Sequence, residues 1–293
     1  MTFAAIPSPP WNQLDVGPLS LNFYGLMIAT GAMVGVWIAQ RRWAQRGGDP
    51  EDISAIAVWA IPAGLVGARL YHVATDWYRF EGRWLDVFAV WEGGLGIPGG
   101  LVAGAAAGAW AARKRHLPVR ELLDVVAPAI PVAQAIGRLG NWFNQELFGR
   151  PTDLPWALQI DSRHRPAGLE SVATYHPTFL YEALANLALA ALLAWIIEQR
   201  VRRTPGQLFL GYVAGYAAIR FGVESLRIDP ATEIMGWRVN LWVSAITFAV
   251  AALLIGFRRR NPDGFTATGT APDSESLDDP LDDRSSRQPL ESG

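Results

Sequence analysis

Residues 239–257, VNLWVSAITFAVAALLIGF, hold no charged side chain over nineteen positions and run straight into Arg258-Arg259-Arg260. An α-helix rises about 1.5 Å per residue, so a run of this length crosses the roughly 30 Å hydrocarbon core of a bilayer. Two further charge-free runs, Val16 to Gln40 and Gly93 to Ala112, are longer still. Four shorter ones, Ile53 to Ala68, Val125 to Gly137, Ala183 to Ile197 and Gln207 to Ile219, reach spanning length only by taking in a flanking charged residue. The pattern predicts an all-α polytopic membrane protein of seven transmembrane helices, several of them carrying charge near one end. Composition agrees: 51% of the 293 residues are hydrophobic and the mean hydropathy is +0.15, too apolar for an ordinary soluble domain.

Lysine and arginine set the orientation. Arg41, Arg42 and Arg46 follow the first run; Arg113, Lys114, Arg115 and Arg120 the third; Arg200, Arg202 and Arg203 the fifth; Arg258, Arg259 and Arg260 the seventh. Every odd span thus ends in a basic cluster, which predicts an amino terminus outside and a carboxyl terminus in the cytoplasm. No lysine or arginine precedes Arg41, so a cleavable signal peptide is not expected and the first span stays in the mature chain. Many of the thirteen tryptophans, among them Trp37, Trp43, Trp77, Trp91 and Trp237, fall near predicted helix ends as an interfacial belt.

Two domains are expected: 1–260 as the seven-helix membrane domain, and 261–293 as a disordered acidic cytoplasmic tail, with eight acidic residues against two arginines. The connection Leu139 to His176, with three prolines and five aromatics, is long enough to form an exterior cap. Gly96, Gly100, Gly104 and Gly108 recur every four residues and share one helix face, a pattern for close helix packing. Gly96-Ile97-Pro98-Gly99-Gly100 reads as a broken, cavity-lining helix start. The chain has no cysteine, which removes disulfides, an enzyme thiolate and cysteine-ligated metal, so any thiol in the chemistry belongs to a substrate. The four histidines, His72, His116, His164 and His176, are too dispersed for a metal set.

Helical rise brings several polar groups to one depth. Arg69, Arg138 and Arg220 each lie roughly 20–25 Å above the inner edge of their spans, near the outer polar boundary, and Tyr24 and Glu182 reach the same level. Tyr216, Arg220 and Glu224 share one helix face, with Arg227 close to the same stripe. Guanidinium keeps its charge at any relevant pH and suits bidentate capture of phosphate. The ligand in reach of an outer-leaflet site is a phospholipid headgroup.

The stretch Gly137-Arg138-Leu139-Gly140-Asn141-Trp142-Phe143-Asn144-Gln145-Glu146-Leu147-Phe148-Gly149 resembles the signature of the bacterial prolipoprotein diacylglyceryl transferases. Supporting stretches are Tyr24-Gly25-Leu26, Gly67-Ala68-Arg69-Leu70, Gly93-Gly94-Leu95 with Gly99-Gly100-Leu101, His176-Pro177-Thr178 with Leu180-Tyr181-Glu182, and Arg220-Phe221 with Val223-Glu224. The resemblance runs from about residue 20 to 257. It implies a multi-pass enzyme of the bacterial cytoplasmic (inner) membrane that moves the diacylglyceryl group of phosphatidylglycerol onto the lipobox cysteine of prolipoprotein signal peptides. A thioether forms and glycerol phosphate leaves, as the first step of lipoprotein maturation. No cofactor, metal or nucleic acid is implied.

On this reading Arg138 and Arg220 bind the phosphate and the charge that develops on the leaving group, with Glu224 orienting Arg220. Asn141 and Asn144 supply hydrogen bonds, and Tyr24 and Tyr216 line the headgroup pocket. Gly99, Gly100, Glu146, Gly149 and His176 are further substrate-binding positions, His176 being the candidate proton acceptor and Glu146 an alternative. The chain departs from the family where many members carry a histidine before the second glycine pair: here that residue is Pro98, which cannot accept a proton. A transporter would also place charges among glycine-rich helices, but no paired inverted halves are visible. A membrane protease would need serine or metal chemistry, and neither His-Glu-x-x-His nor Gly-x-Ser-Gly occurs.

Overall fold

The computed structural model describes residues 5–17, 19–90, 93–201 and 204–260. Trp91, Arg202, Arg203 and the acidic tail 261–293 lie outside the described residues. Among the described residues, nine helices carry the fold: α1 (Phe23–Ala44), α2 (Pro50–Thr75), α3 (Ile97–Lys114), α4 (Val119–Val126), α5 (Ala129–Asn144), α6 (Thr178–Ala191), α7 (Glu198–Val201), α8 (Gln207–Glu224) and α9 (Val239–Arg260). A π-helical turn, Leu192–Ile197, joins α6 to α7. Three two-stranded antiparallel ribbons, β1 (Gln13–Val16) with β2 (Leu19–Asn22), β3 (Leu158–Gln159) with β4 (Thr174–Tyr175) and β5 (Glu233–Ile234) with β6 (Trp237–Arg238), are small additions to the expected all-α architecture.

Among the described residues, four helical segments, Phe23–Ala44, Pro50–Thr75, Thr178–Trp195 and Val239–Arg258, are long and apolar enough to cross a membrane, and α4 with α5 makes a fifth if that bent pair is one span. Their outer faces expose large apolar side chains such as Met33, Val58, Leu184 and Leu253, as a lipid-facing surface requires. The first helix begins at Phe23 rather than Val16: Gly17, at φ 61°, turns the chain into a hairpin, and the Asn22 side chain accepts from the Tyr24 N–H to cap the helix. The run Val125 to Gly137 is bent by 43° between α4 and α5. Pro128 lacks the N–H that a continuous helix would need there, and the Asp124 carboxylate is spent on the start of α8, accepting from Gly206 N at 2.7 Å and Phe209 N at 3.0 Å.

Neighbouring helices follow the order α3, α2, α1, α5, α6, α8, α9, which puts α1, α5 and α6 in the middle with α8 beside α6. The α2–α3 seam is built from glycine as its spacing predicts. A Cβ on Gly100 would lie 3.1 Å from the Gly64 carbonyl, one on Gly104 3.2 Å from the Ala60 carbonyl, and one on Gly108 3.4 Å from the Ala60 methyl. Arg69, buried on α2, is caged by backbone oxygens. It donates to Val87 at 2.8 Å, Gly93 at 2.6 Å, Gly94 at 3.1 Å and the Asp86 carbonyl, holding the α2–α3 connection in place.

At the end of the bundle where α5 finishes, residues 145–177 form a cap. α5 continues through Asn144, so the cap begins six residues later than the sequence suggested. Its core is Phe148, Leu158, Ile160, Tyr175 and Phe179. The segment before β1 is stitched into it. Ile6 N donates to Ala157 O and Gln159 N to Ile6 O, Ser8 donates to Gln159 O, and the Trp142 indole donates to Pro7 O.

Candidate functional site

Backbone contact between α1 and α5 fixes the site's first wall. A Cβ on Gly31 would lie 2.7 Å from the Ala133 carbonyl oxygen, and one on Gly140 would lie 3.1 Å from the Tyr24 Cα, so both positions need glycine for the helices to touch. Tyr24 therefore stands in this seam beside the arginine-bearing face. α5 ends at Gln145, which is left-handed at φ 51°, ψ 48° without being glycine or asparagine. Its buried amide holds that geometry: Nε2 donates to Asp161 Oδ2 at 2.8 Å and Pro9 O at 3.2 Å, while Oε1 accepts from Asp161 N at 2.9 Å. The turn brings Glu146 back over the helix end. There its Oε1 accepts from Asn141 at 2.9 Å and Asn144 at 3.3 Å, while Asn141 Oδ1 accepts from Arg138 Nη1 at 3.2 Å.

Across the bundle, α6 starts at Thr178, whose hydroxyl donates to the Leu147 carbonyl. One turn on is Glu182, 2% exposed. Its Oε1 takes Arg138 Nη2 at 2.9 Å and the Tyr216 hydroxyl at 3.2 Å; its Oε2 faces Arg220 Nη1 at 3.5 Å. Arg220 is held tightly elsewhere, with Nη2 2.6 Å from Glu224 Oε2. Glu224, fully buried, also receives Arg238 Nε at 2.7 Å, Asn240 Nδ2 at 3.2 Å and Arg227 Nη1 at 3.5 Å. Asp229 closes the network, binding Arg227 at 2.7 Å and Arg238 at 3.0 Å. Partial burial pushes the Asp229 carboxyl up, but its bonds and charge interactions with Arg227 and Arg238 outweigh that and hold it below the ordinary aspartate value. A cleft lined by Arg138, Asn141, Thr178, Phe179, Glu182 and Arg227 opens onto this network. Two guanidiniums, Arg138 on α5 and Arg227 just beyond the end of α8, line this small cleft, and such a pair suits a doubly held oxyanion such as phosphate.

Residues 12–257 match the family model described as prolipoprotein diacylglyceryl transferase. The chain belongs to that family. It is 49% identical over 265 residues to the phosphatidylglycerol–prolipoprotein diacylglyceryl transferase 2 of Streptomyces coelicolor, covering 88% of this chain and 83% of that one. It is 48% identical over 297 residues to the enzyme of the same name from Frankia alni, covering 99% of this chain and 76% of that one. A Rhodococcus jostii relative so named is 48% identical over 270 residues, 87% of this chain and 74% of its own.

Of the positions that the prolipoprotein diacylglyceryl transferase resemblance suggested, Arg138, Asn141, Asn144, Glu146, Tyr216, Arg220 and Glu224 come together, with Tyr24 against Gly140 on their flank. Gly99 and Gly100 do not. They pack in the α2–α3 seam, where small residues let the backbones approach, and helix α3 simply starts at Ile97 with Pro98 in its first turn, so this is no break within a span. His176 is also elsewhere: its Nδ1 lies 3.1 Å from the Tyr181 hydroxyl, which takes the Trp156 indole at 2.9 Å, and the ring is not part of the cleft lining. Gly149 serves the cap, its N–H donating to the His176 carbonyl at 2.9 Å where a Cβ would stand 2.8 Å from that of His176.

Sequence reasoning gave Glu182 a depth but no role, and missed Arg238, Asp229 and Asn240. Arg227 had one signal, its place near the Tyr216–Glu224 stripe. Arg238 had none, because the ribbon β5–β6 that folds it back onto Glu224 is set by a turn whose tip is Met235 and Gly236, both at positive φ.

Proposed function

We propose that this chain transfers the diacylglyceryl group of phosphatidylglycerol to the lipobox cysteine thiol of prolipoproteins, in the bacterial inner membrane. The observation that carries the reading is the meeting of Arg138 and Arg220 on Glu182 beside the cleft, in a family whose relatives bear that activity's name. Seven spans with the amino terminus and the cap outside put this layer at the outer leaflet, where phosphatidylglycerol and exported precursors meet. That topology rests on the basic clusters after odd spans, with α3, α8 and the bent α4–α5 pair completing the seven.

The substrate thiolate attacks the glycerol carbon bearing the phosphate ester. A carbon–sulfur bond forms, the carbon–oxygen bond breaks, and the electron pair stays on the phosphate oxygen of departing glycerol phosphate. Arg138 and Arg220 hold the phosphate and stabilise the charge that grows on it. Asn141, steered by Glu146, orients Arg138, and Glu224 orients Arg220. A cysteine thiol has a reference pKa of about 8.5, so the positive field of these guanidiniums favours the thiolate that the reaction needs. Tyr24 and Tyr216 flank the headgroup, and Asn144 supports Glu146. Purified protein given phosphatidylglycerol and a lipobox peptide is the direct test: mass spectrometry of the peptide cysteine shows a diacylglyceryl adduct if the reading holds. An unmodified peptide, with folded protein and intact lipid, would overturn it.

A further inference from the structure

Glu182 and Glu224 both pair with Arg220, but they are built differently. Glu224 takes two hydrogen bonds on Oε1, from Arg238 and Asn240, and ion pairs on Oε2 with Arg220 and Arg227, and it does not line the cleft. Glu182 lines the cleft itself, and its contact to Arg220, at 3.5 Å, is too long for a good hydrogen bond. Arg220 adjoins the cleft only through Glu182: its Nη2 is paired with Glu224, while its buried Nη1 makes no hydrogen bond and faces Glu182 only loosely. The two oxygens of Glu182 thus stand between Arg138 and Arg220 as two oxygens of a phosphate would.

We propose that Glu182 is an exchangeable counter-ion: the substrate's phosphodiester takes its place between Arg138 and Arg220, and its return expels the phosphate product. This inference rests on the function proposed above. Three points support it. A phosphodiester carries one negative charge, as the Glu182 carboxylate does, so the first exchange leaves the charge of the network unchanged. Bond cleavage turns that diester into a phosphomonoester, whose second ionisation lies near pH 6, so the product approaches two negative charges at neutral pH and grips the same arginines harder than the substrate. A carboxylate tethered on α6 competes at the high effective concentration of an intramolecular group, which a solvent anion cannot match. Without it, the stronger binding of product would slow each turnover.

The alternative, that Glu182 only props the arginines in position, predicts the opposite sign. The experiment compares wild type, Glu182→Gln and Glu182→Asp as full-length protein in detergent, measuring inhibition of adduct formation by glycerol 1-phosphate. Glu182→Gln is expected to lower the inhibition constant about tenfold or more, with a lower KM for phosphatidylglycerol and a fall in kcat as product release limits the rate. Glu182→Asp, which keeps the charge but withdraws it by one methylene, should shift the inhibition constant in the same direction by less. It also decides the matter alone if the glutamine variant fails to fold. An inhibition constant equal to or above that of wild type in the folded variants overturns the proposal. If wild type forms no adduct at all, the proposed activity fails first. Calorimetric titration with inorganic phosphate then still reads the exchange, as tighter binding by Glu182→Gln if it is real and unchanged or weaker binding if it is not.

Discussion

Arg220 and Glu224 stand one helical turn apart on α8 with Nη2 and Oε2 2.6 Å apart, and the carboxylate is fully buried. The planar guanidinium thus meets Glu224 through Nη2 while its Nη1 faces Glu182 Oε2 at 3.5 Å, two directions that one flat fork can serve at once. Lysine has no such plane. Arg220→Lys and Arg138→Lys should therefore each slow the reaction roughly 100-fold, about 3 kcal/mol of transition-state stabilisation, although the charge remains. Turnover close to wild type in folded lysine variants, measured by adduct formation, would exclude two-pronged phosphate binding.

Glu224→Gln tests the other end of that pair. It would leave Arg220, Arg227 and Arg238 around a neutral amide in a buried site, and removing one partner of a buried ion pair costs about 3 kcal/mol or more. We expect a clear fall in the midpoint of thermal or denaturant unfolding in detergent, in addition to lost activity. A variant as stable as wild type would mean that the carboxylate is not the hub the contacts suggest.

Asp229 gives a pH dependence whose sign is fixed. Its folded carboxyl is held below the ordinary aspartate value, near 3.9 when unfolded, so its stabilisation is complete above about pH 4 and is lost as pH falls through the lower folded value. Unfolding midpoints followed from pH 6 to pH 3 should decline less steeply in Asp229→Asn than in wild type. Parallel curves would remove Asp229 from the acid response.

His176→Gln is expected to keep the acidic limb of the pH–rate profile, because the ring is engaged by Tyr181 within the cap and does not line the cleft. Loss of a limb near pH 6.5, the histidine reference value, would restore His176 as the proton acceptor.

Orientation is checked with single cysteines in this cysteine-free chain. An impermeant thiol reagent applied to intact cells should label Ser162→Cys and spare Ser285→Cys. Labelling in the reverse pattern would invert the topology.

The long apolar runs were legible as helices because a span's composition is dictated by the surrounding hydrocarbon, whatever the partner helix. The glycine seam between α2 and α3 was legible for the same kind of reason, since a four-residue period fixes one face. What resisted reading was rotation and return. Arg69 was placed at the same estimated depth as Arg138 and Arg220, yet depth says nothing of direction around a helix, and it turns toward carbonyls of the connection to α3. The fold-back of Arg238 onto Glu224 depends on a two-residue turn in a short ribbon, and the bend after Val126 on a proline next to a charge spent elsewhere. The polar residues of the motif at 137–149, Arg138, Asn141, Asn144 and Glu146, do contact one another, but the partner that gathers the arginine, Glu182, comes from another helix.

The stitching of residues 5–9 into the cap also bears on how the protein comes to be assembled. Ser8 and Gln159 are 151 positions apart, so the earliest part of the described chain must wait while helices α1 to α5 are synthesised before its binding partners emerge. Contacts that span so much chain close large loops and form late, and a segment near a chain end, as 5–9 is, belongs to the class that opens at low free energy. Gln145, whose left-handed turn carries Glu146 back to Asn141, is anchored in part to Pro9. The arginine-orienting motif therefore becomes ordered only when two distant stretches of translation meet, and it should be the first part of the site to lose protection from hydrogen exchange on warming.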